Sequence, residues 1–152
     1  HFHSDPDQSF LNQIKGSKTV FVYPVTVLPE TAVENLIYTN DQGAVTYNAD
    51  YEKNIFPSVH IGPGESVFLP LFAPHRVTND DGVSISWNVG FHTPKSWRQR
   101  SVHLMNLQLR HMGKTPAPLG SNPAEDAKKA RMYPLYHLKN RIFKKSAPKV
   151  KL

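Results

Sequence analysis

Two histidines and an aspartate are spaced so that they can hold a metal ion. His3 and Asp5 lie two apart in His3-Ser4-Asp5, and in an extended strand residues two apart project to the same face. His75, in Ala73-Pro74-His75-Arg76-Val77, can deliver a second imidazole from a neighbouring strand. Two histidines and one carboxylate on one face, with the opposite positions open, form the ligand set of non-haem Fe(II) oxygenases. Plainer roles fit the same residues. A His-X-Asp triplet arises by chance, and a lone histidine before an arginine is commonly a solvated loop residue. His1 shares the parity of His3 and Asp5 and competes as a ligand.

The chain has no cysteine, which excludes thiolate ligands and disulfides, leaves His, Asp and Glu as donors, and fits a reducing cytosol. Its 152 residues, 39% hydrophobic, suffice for one core with an appendage. It has no run of about 18 apolar residues and its start lacks the layout of a signal peptide, so a cytoplasmic protein without membrane contact is expected. The net charge is +6. Much of it comes from Lys139, Arg141, Lys144, Lys145, Lys149 and Lys151, which read as a solvated basic tail. Nucleic-acid binding through that tail is the less favoured reading. His1 stands where a start methionine is usual, and almost nothing precedes the ligand strand. The expectation is therefore the C-terminal portion of a longer protein, or a numbering that omits an N-terminal part.

The elements that must position these residues follow from periodicity. Residues 9–24 read as two strands broken at Gly16-Ser17, with Lys18, Val20 and Val22 on one face of the second. Whether Lys18 begins that strand in solvent or points along an interior face stays open. Ala32, Val33, Leu36 and Ile37 give a short amphipathic helix from Pro29 to about Thr39, and Asn40 to Gly43 a turn. Residues 44–57 read as a long connection with one strand from Ala44 to Tyr47. Strands are expected at Ser58–Ile61, Ser66–Leu71 and Pro74–Thr78, separated by Gly and Pro turns. Residues 83–91 alternate, with Val83, Ile85, Trp87, Val89 and Phe91 on one side and Ser84, Ser86 and Asn88 on the other; the small polar side suggests a wet cavity. Such short strands argue for an antiparallel sandwich or small barrel. Beyond Phe91, Thr93 as cap and Pro94 as first helical residue open a helix that Gly113 stops. After a proline-rich linker, Asn122-Pro123-Ala124-Glu125 opens a second helix that Pro134 must kink or end.

Four segments, in this order, resemble the JmjC-type cupins: His1-Phe2-His3-Ser4-Asp5; Phe10-Leu11-Asn12-Gln13-Ile14-Lys15-Gly16-Ser17-Lys18; Gly62-Pro63-Gly64-Glu65 through Leu69-Pro70 to Ala73-Pro74-His75; and Ser84-Ile85-Ser86-Trp87-Asn88. This family comprises double-stranded β-helix Fe(II)/2-oxoglutarate oxygenases. The likeness is nearest to bacterial cupin-like, JmjC-like proteins and to the factor-inhibiting asparaginyl hydroxylase type.

The resemblance implies a mainly β fold, a double-stranded β-helix (cupin or jelly-roll) core with C-terminal α-helices. It divides the chain into a core at 1–92 that lacks N-terminal strands, a helical extension at 93–145 and a basic tail at 146–152. It implies His3, Asp5 and His75 as the metal triad, with His3 rather than His1. Lys18 stands at the position of the lysine that pairs with the distal carboxylate of 2-oxoglutarate. Asn88 stands at that of an amide in the co-substrate pocket. Ser9 replaces an asparagine that contacts the co-substrate in the asparaginyl hydroxylase. The implied activity is a dioxygenase using Fe(II) and 2-oxoglutarate, a hydroxylase of a protein or small-molecule substrate. A cupin that binds metal or ligand without turnover, as sensor or scaffold, is the alternative. The two C-terminal helices suggest a homodimer.

Overall fold

The computed structural model of the chain describes residues 1–41, 43 and 45–143. These fall into two compact units, His1–Trp97 and the described residues from Arg98 onward, and the boundary falls within a helix. Helix accounts for about 40% of residues and strand for 26%, so "mainly β" describes the first unit and not the whole chain.

The first unit holds seven strands: β1 (His3–Ser4), β2 (Gln8–Lys15), β3 (Lys18–Val22), β4 (Val59–Ile61), β5 (Ser66–Leu69), β6 (Pro74–Asn79) and β7 (Ile85–Phe91). They form two antiparallel sheets, one ordered β1-β6-β3-β4 and the other β5-β2-β7. The chain passes repeatedly from one sheet to the other, which is how a jelly-roll winds. Val20, Val22, Ile61, Leu69 and Ala73 form one buried cluster, with Leu11, Val67 and Val77 packed against it. Both sheets contribute to this cluster, and the faces that meet there are their inner faces.

The Gly16-Ser17 break is where β2 leaves one sheet and β3 enters the other. Gly16 has φ +67, and a Cβ there would lie 2.6 Å from the Val83 carbonyl oxygen, so both torsion and space require glycine. Beside it Gln13, 2% exposed, receives a hydrogen bond from Ser86 Oγ (2.7 Å) and donates to Ser84 Oγ (3.0 Å) and the Lys15 carbonyl (2.6 Å). The polar row of β7 is thus partly consumed in fixing the bulge between Gln13 and Lys15. The apolar row faces outward: Ile85, Trp87 and Val89 are exposed, as are Phe10, Ile14 and Phe68 on the same face.

The helix α1 (Glu30–Thr39) forms as its periodicity predicts, and Asn40 ends it in the left-handed region at φ 56. The connection after it differs from expectation. Val45 to Tyr47 is not a strand, Ala44 lies outside the described residues, and a 3-10 turn spans Ala49–Asn54. The Asn48 side chain caps that turn by accepting from the Asp50 amide at 2.9 Å, the local alternative to strand pairing that Asn offers.

In α2 (Pro94–His111) the Thr93 and Ser96 side chains accept reciprocally from each other's amides, at 3.1 and 2.7 Å, a capping box with serine at its far end. The helix α3 (Pro123–Phe143) runs through Pro134 rather than stopping there. Within the second unit it is tied on both sides of the proline, by Lys129 Nζ to the Ala117 carbonyl (2.9 Å) and by Tyr136 Oη to Gln108 Oε1 (3.1 Å). The tail at 146–152 lies outside the described residues. Among the described residues no helix is long and apolar enough to cross a membrane.

Gly16 and Gly64 separate torsion from space. Gly64 has φ +86, and the position a Cβ would take there is open, so Gly64→Ala is expected to cost ~1–2 kcal/mol from the left-handed backbone alone. Gly16→Ala carries the same torsional cost plus the clash with Val83. Urea unfolding should show the larger loss at Gly16, and equal losses would remove the Val83 contact as a cause.

Candidate metal centre

β1 has two residues and sits at the edge of its sheet, yet it begins the segment that supplies two of the three predicted ligands. Its pairing with β6 sets His3 directly opposite His75 and Ser4 opposite Pro74. Residues directly opposite in an antiparallel pair share a face, with Cα atoms about 4.5–5.5 Å apart. The two imidazole centroids are 4.2 Å apart, and His75 Nε2 lies 3.7 Å from Asp5 Oδ2. His3, Asp5 and His75 each offer one ligand atom, all within 4.8 Å of one another.

Both rings are oriented by backbone. His75 Nδ1 lies 3.1 Å from the Ala73 carbonyl, and His3 Nδ1 lies 3.4 Å from the His1 carbonyl. A proton on Nδ1 satisfies each carbonyl and leaves Nε2 with its lone pair, the tautomer a metal requires. His75 is 3% exposed. Burial holds its imidazole below the usual histidine range; the Ala73 carbonyl opposes this, His3 adds to it, and Asp5 opposes it. His1 stacks on His3 at 5.6 Å between centroids and is outside the group of three.

Of the other predicted residues, Lys18 and Ser9 are buried on the inner sheet faces and Asn88 is exposed. In β3 the inner face runs Lys18, Val20, Val22, and Val22 is opposite His75 while Lys18 is opposite Asn79. Lys18 is therefore on the His75 face, roughly 13 Å further along the strand at 3.3 Å per residue. It is 8% exposed, and burial lowers its pKa from the usual lysine value. Among the described residues no carboxylate pairs with it. Ser9 is 1% exposed and its Oγ has no hydrogen-bond partner. It lies opposite Leu69 and Gly90 on the inner face of the second sheet. Asn88, opposite Leu11, shares that face but is exposed.

Behind the ligands is a network that pattern reading missed. Phe2 packs edge-on against Tyr23 and Tyr47, at 5.3 and 5.4 Å between centroids, and lies 6.0 Å from Tyr51. Tyr23 and Tyr47 both donate to Glu52 Oε1, at 2.7 and 2.9 Å, and these hydroxyls, Tyr23 first, hold the Glu52 carboxyl below the usual range. Arg76 donates to Tyr23 Oη at 3.0 Å and lies 3.7 Å over the Phe21 ring. It belongs to this backing layer and is turned away from the ligand face. The signal for the network was present as aromatic residues at 47 and 51, but it sits in the connection that lacked periodicity.

No family model matches the sequence, and no curated protein matches it. Solved structures do. The ribosomal oxygenase YcfD from Escherichia coli, in complex with cobalt and succinic acid, is 18% identical over 92% of this chain and 35% of that one, with a TM-score of 0.39. A second YcfD structure is 19% identical over 91% and 34%, with a TM-score of 0.37. The chain spans about a third of the length of these structures. A likeness at this level fixes neither reaction nor substrate.

The buried imidazole has a consequence for pH. The unfolded chain takes up a proton at His75 near pH 6.5, while the folded metal-free chain resists until lower pH. The unfolded state then binds more protons, so stability falls as pH drops through this window. Urea midpoints measured from pH 7.5 to 5 should decline below about 6.5, and His75→Gln should flatten that decline. An unchanged slope in the variant would assign it to other groups.

Proposed function

We propose that the chain carries an Fe(II)- and 2-oxoglutarate-dependent oxygenase centre that hydroxylates a protein or small-molecule substrate. The observation that carries this reading is a pairing on one sheet face: a two-histidine, one-carboxylate group at one end and a buried, anion-free lysine further along. Two imidazole nitrogens and a carboxylate oxygen suit a divalent iron, and their common face leaves the opposite positions open. Fe(II) and 2-oxoglutarate supply the oxidising chemistry when bound, with dioxygen divided between the hydroxylated product and succinate as carbon dioxide is released.

The chain's own residues do the rest. His3, Asp5 and His75 hold the ion, and the His1 and Ala73 carbonyls keep each Nε2 directed at it. Lys18 supplies the charge that a dicarboxylate needs on entering an apolar interior. Ser9 Oγ is a buried hydroxyl whose hydrogen-bonding capacity no protein group uses, and it is assigned to the bound organic ligand. Val20, Val22, Leu69 and Ala73 lie in the same buried cluster and keep water from the site. A metal- or ligand-binding module without turnover is the second reading, favoured by the exposure of Asn88 on a face assigned to the co-substrate.

Anaerobic titration with Fe(II) and 2-oxoglutarate tests the proposal. A visible charge-transfer band is expected with the full chain and absent from His3→Ala, while His1→Ala retains it. Metal binding without the band favours the second reading. Lys18→Met should keep the metal, weaken 2-oxoglutarate at least about tenfold through loss of a charge-assisted contact, and raise the urea midpoint of the ligand-free chain, because a desolvated charge is removed. Equal 2-oxoglutarate affinity would remove Lys18 from the site.

A further inference from the structure

One tight turn serves both halves of the metal centre. The Ala73 amide bonds to the Pro70 carbonyl at 3.1 Å, closing the turn Pro70-Leu71-Phe72-Ala73. Phe72 lies in the left-handed region at φ 58, where a bulky residue rarely sits. Two successive carbonyls of this turn are used. Ala73 O faces His75 Nδ1 at 3.1 Å, and Phe72 O accepts from Ser4 Oγ at 2.7 Å. Ser4 stands between the ligands His3 and Asp5, points to the opposite side, and is 0% exposed. The residue between the two local ligands is thus bonded to the turn that orients the distant one.

We propose that Ser4 is a positioning residue for a divalent metal: its bond to the Phe72 carbonyl fixes the register of β1, and with it the placement of His3 and Asp5 against His75. The inference rests on reading those three as metal ligands. The physical reason is the shortness of β1. Two residues of edge pairing resist sliding weakly, and a slip of one position turns every side chain to the other face, which would carry both ligands away from His75. A buried hydroxyl with a single carbonyl partner in the turn holds the register against that slip. The Phe2 ring among Tyr23, Tyr47 and Tyr51 holds the preceding residue on the same side.

The test uses the full chain and Co(II), followed by its visible d–d absorption, with two size-matched variants. Ser4→Thr keeps the hydroxyl, and Ser4→Val replaces it with a methyl. Ser4→Val should weaken Co(II) at least about tenfold, in line with other residues that orient metal ligands, and should alter the d–d spectrum. Ser4→Thr should stay within about threefold of the wild type with an unchanged spectrum. In the metal-free chain, the cross-strand NOE between the His3 and His75 amide protons should persist in Ser4→Thr and be lost in Ser4→Val. Gly64→Ala, which lowers stability away from β1, should bind Co(II) as the wild type does. Equal affinity and spectrum in Ser4→Thr and Ser4→Val, or the same loss in Gly64→Ala, overturns the positioning role. A wild type whose Co(II) binding is unaffected by His75→Ala overturns the metal reading instead. Should Ser4→Val fail to fold, the milder Ser4→Ala replaces it, and wild-type affinity there overturns the proposal equally.

Discussion

The site depends on one cross-strand pairing, that of His3 with His75 across β1 and β6. An antiparallel ladder fixes which residues stand opposite and on which side, so a single register decision places one imidazole, brings the second against it and carries Asp5 to the same face two residues on. The inner sheet faces, the turn at residues 70–73 and the aromatic layer behind β1 can all be understood by what they do to that register.

The interior resolves a conflict between packing and chemistry by separating them along the strand. On β3 the sequence Lys18, Val20, Val22 runs from a charged end through an apolar middle to the position opposite His75. The apolar middle meets Leu69 and Leu11 of the other sheet, giving the hydrophobic contact that holds the sheets together. The polar groups at either end are desolvated by the same contact. A buried ammonium without an anion costs stability, and its retention on the same sheet face as His75 suits a binding site better than a core. The outer face of the second sheet shows the opposite imbalance, with Phe10, Phe68 and Trp87 in the open, more apolar surface than a solvent-facing sheet normally carries.

Much of this was legible in the sequence, and the reasons differ by residue. The triad was legible because parity in a strand is a two-residue property, so His3 and Asp5 announce their common face locally. His75 was legible only through its surroundings and the family likeness, since no local rule says which strands pair. The facing of Lys18 needed the register with Asn79 and Val22, which is non-local. Ser4 went unread because its role lies in a bond to a carbonyl 68 positions away, and carbonyls have no sequence signature. The strand expected at Ala44–Tyr47 failed for a related reason: its one aromatic residue, Tyr47, follows the packing of Phe2 and the hydrogen bond to Glu52, with no alternation around it. Pro134 ended no helix because side chains on both of its flanks hold α3 in place.

On the proposed reading, the distance in sequence between the two histidines would give a bound metal a mechanical role. An ion shared by residue 3 and residue 75 closes a loop of about seventy residues. By the chain-entropy account of a covalent bridge, closure over such a length removes on the order of 4 kcal/mol of unfolded-state freedom. The ion is then a reversible staple. Without it, β1 is held by two residues of edge pairing, the Ser4 bond to the Phe72 carbonyl and the packing of Phe2. On that reading, metal occupancy and resistance of the β1 segment to proteolysis are two readings of one equilibrium.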